Sequence, residues 1–327
     1  MTFALKAAGS VAQTPGNGEV NSVQRIGLAE IRERTYKQSD AWWTVVLVDP
    51  VASRLVRLVA PYRWITPNLL SSIAFVLGVG SAACFFAGTR GALIAGGLLF
   101  HLSFVVDCMD GKIARLNGTG SMFGAWFDFM FDRVRVIACT VGLMGGQYER
   151  TGDVAYLWLA VAVISLDLFR YLNSSQMAKI KRAMQSRLDE ARGEGLSRAA
   201  LVAEATSVAH EGEAELSADD PPATGRPTPY TRLRNWLRAR RIRMHLFSGI
   251  EYEMTVFIVG PLAHSVTGVT IAAGSLLLLF EIALIVRLHR ATRRFRTDLA
   301  AAEANTPAPH AGEDPDRPAT LRVTTPG

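Results

Sequence analysis

Cysteine is scarce in this chain: three in 327 residues, at irregular spacing and each inside an apolar block (Cys84, Cys108 and Cys139). That excludes a disulfide framework and a cysteine metal cluster, and leaves the three as small packing residues. No cleavable secretory signal is apparent in the first residues either. The start MTFALKAAGSVAQTPGNGEV is only briefly apolar and then turns polar and glycine-bearing. Internal repeats and interrupted apolar segments, the marks of many transporters, are not evident. Nor does the chain alternate apolar and polar residues as a soluble protein of this length would.

What it has instead is apolar residues in blocks. They make up 49% of the sequence, mean hydropathy is +0.18, and the blocks run to about twenty residues, enough to cross roughly 30 Å of hydrocarbon as helices. The formal charge of +6 suits anionic lipid or an anionic substrate. Six spanning helices are predicted, over about 68–88, 91–115, 121–146, 153–173, 248–266 and 268–289. Gly and Ala are frequent in them, as where helices pack closely in lipid. The fold class is therefore all-α and integral to a membrane.

A shorter segment, VDPVASRLVRLVA, precedes the spans. Asp49 is predicted to cap a helix beginning at Pro50. Val51, Leu55, Leu58 and Val59 share one face and Arg54 and Arg57 another, with Trp42, Trp43 and Trp64 flanking. This reads as an amphipathic helix lying in the interface. The organisation is then a polar, disordered N-terminus over 1–40, the interfacial region over 41–64 and four spans over 65–175. A cytoplasmic insertion over 176–246, two spans over 247–296 and a disordered tail over 297–327 follow. Within the insertion, EGEAELSADDPPATGRPTP is a flexible linker. TRLRNWLRARRIRMHLF is a basic helix for anionic headgroups, preferred over nucleic acid because membrane segments adjoin it.

Lysine and arginine set the orientation. The turns at 88–91 and 147–152 carry only Arg90 and Arg150, and the turn at 264–268 carries none. The other side holds Lys112, Arg115, Lys179, Lys181, Arg182, Arg232 through Arg243 and Arg287 through Arg296. Both termini are expected to face the cytoplasm, in the cell membrane.

Four aspartates lie at that face. Asp107 and Asp110 are three apart and Asp128 and Asp132 four apart, so each pair shares a helix face. The short turn RLNGTGS lets the pairs face one another. An unpaired carboxylate in hydrocarbon costs roughly 2.5–3.5 kcal/mol even on insertion scales, so all four must point inward to positive charge. Lys112, Arg115, Arg133 and Arg135 offer a salt-bridge cluster. Oxygen-only carboxylate sets also suit Mg²⁺, Mn²⁺ or Ca²⁺, and paired ions of this kind serve phosphoryl transfer. Gly111, Ala114 and Gly124 remove bulk beside the carboxylates, and Arg115 can fork onto a phosphate.

The spacing D-x2-D-G-x2-A-R-x8-G-x3-D-x3-D, from Asp107 to Asp132, resembles the signature of the CDP-alcohol phosphotransferase family at every fixed position. ITPN (Ile65 to Asn68) and the six-span layout are similar too. The likeness is close over about 45–175 and topological over 248–290. It implies that Asp107, Asp110 and Asp128 hold two divalent cations, Mg²⁺ or Mn²⁺, against the pyrophosphate of a CDP-linked donor. It implies Asp132 as general base, Gly111, Ala114, Arg115 and Gly124 at the nucleotide, CMP as leaving group, and a homodimer. The expected donor is CDP-diacylglycerol and the acceptor an alcohol or alcohol phosphate, in phospholipid biosynthesis. Arg133, Arg135 and Arg170 are candidate acceptor ligands, the competing readings being a pair with Asp167 or headgroup contact. A small CDP-alcohol donor such as CDP-inositol stays open, as does a cation or metabolite transporter, which clustering at one face disfavours. Glu251 and Glu253 are expected at the acceptor pocket or its wet edge, and His101 and Glu281 in interhelical bonds.

Overall fold

The computed structural model describes residues 27–62, 64–192 and 229–305. The expectations for residues 1–26, for most of the acidic linker and for the end of the tail lie outside them. Among the described residues every element is helical, save one isolated parallel bridge between Asp40 and Ile242.

Helix α1 (Leu28–Thr35) leads to a π turn (Thr44–Val48) that runs directly into α2 (Asp49–Val59). The long helices follow: α3 (Pro67–Ala87), α4 (Arg90–Asn117), α5 (Met122–Thr151) and α6 (Ala155–Ala191). Beyond the insertion lie α7 (Pro229–Ala239), α8 (Gly249–Met254), a π turn (Thr255–Val259), α9 (Gly260–Leu262) and α10 (Val266–Asn305).

Local chemistry sets these boundaries. Thr66 caps α3, accepting the Leu69 N–H at 3.3 Å, with Pro67 at the first helical position. Gly88 ends that helix at φ 63°, a left-handed value. Thr89 then caps α4 through the Ala92 N–H at 3.3 Å.

Helices α3, α4 and α5 form the tightest unit. A Cβ added at Gly142 would stand 2.3 Å from the Ala82 carbonyl oxygen, and one at Gly146 2.5 Å from that of Phe86. Backbone therefore meets backbone where α5 crosses α3, the small-residue packing available to helices in lipid. Ser81 donates to the Gly96 carbonyl and Ser103 to that of Ala74, each at 2.7 Å, joining α3 to α4. Phe85, Phe100, Leu143, Met144, Phe257 and Leu277 fill the core. The outside is apolar, with Val76, Trp158, Val161 and Leu279 among its exposed side chains. All three cysteines are free, as read.

Among the described residues, four helices are long and apolar enough to cross a membrane: α3, α4, α6 and α10. Two of the six expected spans differ. Helix α5 has the length, but Asp128, Asp132, Arg133 and Arg135 load its first half with charge. The fifth is short, running from Gly249 to Leu262, and is broken by the π turn and Pro261.

Several boundaries also move. The fourth helix continues without a break to Ala191, well into the expected insertion. The last continues to Asn305, so the tail is helical past 297. Within the expected disordered N-terminus, α1 buries Ile31 and Thr35. Asp49 is the first residue of α2 rather than its cap, because the π turn runs straight into the helix, and its carboxylate is held instead by Lys112 and Arg241 at 2.7 and 3.1 Å. Helix α2 buries Ala52, Ser53 and Val56, leaving Val51 and Leu58 of the expected apolar face exposed.

Candidate active site

The α4–α5 turn brings the aspartates together. Gly118 closes α4 at φ 63°, its N–H on the Ala114 carbonyl. That left-handed conformation strains any residue with a Cβ. Ser121 caps α5 through the Gly124 N–H at 2.9 Å. The reversal is tight, so Asp107 and Asp110 on α4 face Asp128 and Asp132 on α5.

One carboxylate oxygen from each of Asp107, Asp110 and Asp128 can be chosen so that all three lie within 4.8 Å of one another. Asp110 is buried and accepts from Ser71 of α3 at 2.5 Å. The Asp128 Oδ1 is buried and has no hydrogen-bond partner among the described residues. A buried carboxylate oxygen left unpaired is costly. Three convergent hard oxygen donors, one of them unpartnered, fit a divalent cation of the Mg²⁺ or Mn²⁺ kind. Asp132 is not part of this trio and is paired with Arg135, its side chain 25% exposed.

The carboxylates open into a cavity of about 360 Å³, which Gly111 and Arg115 also line. A Cβ at Gly111 would meet only the Arg115 guanidinium, at 3.7 and 3.8 Å, so the helix surface there is open to a ligand. Ala114 and Gly124 are not among the residues that line it. A Cβ at Gly124 would press on Ser121 Oγ at 3.0 Å and Asn68 Oδ1 at 3.3 Å, so that glycine makes room for the cap and the mouth of α3.

The three candidate acceptor arginines all line the cavity, and all are buried. Arg133 donates to Asp167 at 2.5 Å and to Glu253 at 3.1 Å, and its guanidinium lies 3.6 Å from the Tyr171 ring centre. Of the three readings of this arginine, the pair with Asp167 is a contact the structure shows. Arg170 pairs with Glu281 at 3.2 Å, and Asn173 donates to the same carboxylate at 2.6 Å. Arg135 lies between Asp107 and Asp132. Glu253 reaches the cavity, whereas Glu251 closes a capping box with Ser248. His101 packs its ring against Trp43 at 6.2 Å, its Nδ1 without a partner.

Residues 64–201 match the sequence model of the family described as CDP-alcohol phosphatidyltransferase. This stretch is a CDP-alcohol phosphatidyltransferase domain. The chain is similar to the phosphatidylinositol phosphate synthase of Corynebacterium glutamicum, 36% identical over 89 residues, 27% of this chain and 37% of that one. The phosphatidylinositol phosphate synthase of Mycobacteroides abscessus is 27% identical over 135 residues, 41% and 55% of the two chains. The archaetidylinositol phosphate synthase of Pyrococcus horikoshii is 30% identical over 95 residues, 29% and 48%. The chain thus matches about a third to a half of the length of these relatives. All four aspartates fall inside the phosphatidyltransferase domain, and Arg241, Glu253 and Glu281 beyond it.

Four contributors escaped the sequence reading. Ser71, Asp49, Arg241 and the chain around Asp40 reach the site only through tertiary packing. Asp40 receives the Arg241-to-Arg243 segment by a two-bond bridge, Asp40 N–H to the Arg241 carbonyl at 2.8 Å and Arg243 N–H to the Asp40 carbonyl at 3.0 Å. Lys37, Asp40 and Arg243 thereby join the cavity wall.

Proposed function

We propose that the protein transfers a phosphatidyl group from CDP-diacylglycerol to a hydroxyl of an inositol phosphate, releasing CMP, at the cytoplasmic face of the cell membrane. The observation that carries this reading is the convergence of Asp107, Asp110 and Asp128 beside an open glycine surface in one cavity. The relatives' names support the acceptor, and the lysine and arginine asymmetry supports the orientation.

Asp107, Asp110 and Asp128 would hold a divalent cation, which would supply charge neutralisation at the donor's pyrophosphate. Gly111 lets the nucleotide approach the helix backbone, and Arg115 forks onto a donor phosphate. Asp132 takes the proton of the acceptor hydroxyl on a carboxylate oxygen. The hydroxyl oxygen forms a bond to the phosphorus distal to cytidine, and the bond from that phosphorus to the bridging oxygen breaks. Its electron pair leaves with CMP, and a phosphodiester results. Lys37, at the cavity, supplies a cationic side chain for an anionic acceptor. Arg133 and Arg170 brace its wall, each on carboxylates from other helices.

The test is CMP release by detergent-purified protein with Mg²⁺ or Mn²⁺. CDP-diacylglycerol and CDP-inositol are offered separately, each against inositol, inositol phosphate and glycerol phosphate. CDP-diacylglycerol with inositol phosphate is expected to be the productive pair. Turnover only with CDP-inositol would assign the small-donor chemistry instead.

A further inference from the structure

The reaction as written leaves one buried charge unused. Arg135 is 2% exposed, less than Asp110 at 6% and than the other three aspartates. One guanidinium nitrogen bonds Asp132, and the other lies 3.4 Å from Asp107 Oδ1 and donates to Ser103 Oγ at 3.1 Å. Ser103 is itself anchored on the Ala74 carbonyl of α3. The stem passes Gly78 of α3, where a Cβ would stand 2.5 Å from Arg135 Cγ and 2.6 Å from Cδ. The Phe100 ring centre lies 5.9 Å from the guanidinium carbon. Three helices thus form a fitted seat for one guanidinium among the carboxylates. A guanidinium stays protonated at any working pH, so the charge is permanent.

We propose that Arg135 is a resident counter-cation and the positioning residue for Asp132, so that the substrate-free protein takes one divalent cation rather than two. This rests on the metal-assisted reading of the cluster and departs from the two-ion complement that the resemblance implies. Arg135 neutralises one of four carboxylate charges and fixes Asp132 on α5. A second dication approaching the same carboxylates meets a fixed positive charge beside it, in a setting where such repulsion is far stronger than in water. Arg135 is then not an acceptor ligand, because both of its terminal nitrogens are engaged, by Asp107 and Ser103 on one side and Asp132 on the other.

The experiment is Mn²⁺ binding to the full-length purified protein without substrate, read by electron paramagnetic resonance of free Mn²⁺. Thermal melting verifies the fold of every variant. Wild type is expected to bind one Mn²⁺ per chain. Arg135→Gln is expected to bind a second ion, or the first about tenfold more tightly, which is about 1.4 kcal/mol. Arg135→Lys, which keeps the charge, should bind one ion as wild type does. Gly78→Ala displaces the stem and leaves every charge in place, and its Mn²⁺ affinity should move toward that of Arg135→Gln. It carries the test if the glutamine variant does not fold.

Two ions on wild type overturn the proposal and leave metal-assisted transfer standing. No Mn²⁺ on wild type overturns both. Folded Arg135→Gln or Gly78→Ala that binds Mn²⁺ as wild type does overturns the counter-cation role alone.

Discussion

At the residue scale, the four aspartates divide into two kinds of work. Asp107, Asp110 and Asp128 converge on one point, while Asp132, outside that trio, pairs with Arg135. Asp132→Asn therefore keeps the cation site and loses the proton acceptor. CMP release should fall by about 10²–10⁴-fold, with Mn²⁺ affinity close to that of wild type. Asp110→Asn should lose Mn²⁺ binding, and equal Mn²⁺ affinity in the two variants would contradict the division. A second residue prediction concerns Asp49, whose buried carboxylate is shared by Lys112 and Arg241. Asp49→Ala leaves Lys112 buried and uncompensated, a loss on the order of 3–5 kcal/mol. A clear drop in melting temperature is expected, and an unchanged melt would show the network to be dispensable.

At the scale of elements, catalytic geometry depends on how closely α5 approaches α3. Ser71 reaches Asp110 from α3, and Gly78 on the same helix admits Arg135 from α5. The approach is set where Gly142 and Gly146 meet the backbone of Ala82 and Phe86. Gly142→Ala must push the helices apart, at roughly 1–3 kcal/mol, and should lower both melting temperature and turnover. Gly145→Ala is the control, because its Cβ would meet only the Phe86 ring, at 3.7 Å. It should lie within about 0.5 kcal/mol of wild type. Equal effects of the two substitutions would contradict the packing argument.

The same elements show what the sequence could and could not disclose. The aspartate spacing and the turn between the pairs were legible, because helical periodicity places them within about two turns and Gly118 and Ser121 mark the reversal locally. The π turns at Thr44–Val48 and Thr255–Val259 were not, since a single inserted residue leaves apolar periodicity almost intact. Asp49 read as a cap because Pro50 follows it. Its real partners lie 63 and 192 positions away, beyond any local rule. Helix α6 passed as a span followed by an insertion because its polarity changes near 174 without a helix stop signal there.

At the scale of the whole molecule, apolar side chains cover the outside of α3, α6 and α10, and charge collects at one end. In the proposed orientation that end is cytoplasmic. With the native cysteines replaced by alanine, a single cysteine at Thr119 should resist a membrane-impermeant maleimide in intact cells and react in inverted vesicles. One at Thr151, at the other end of α5, should show the reverse. The opposite pattern would place the cavity outside the cell.

The central claim is that the α4–α5 cavity carries out metal-assisted transfer from a CDP-linked donor. Its most direct test follows CMP and the lipid product together, in wild type and Asp132→Asn, with CDP-diacylglycerol, inositol phosphate and Mn²⁺. The account predicts equal molar yields of CMP and a phosphatidylinositol phosphate from wild type, abolished by chelation and by the substitution. CMP formed at the wild-type rate by folded, Mn²⁺-binding Asp132→Asn would contradict it.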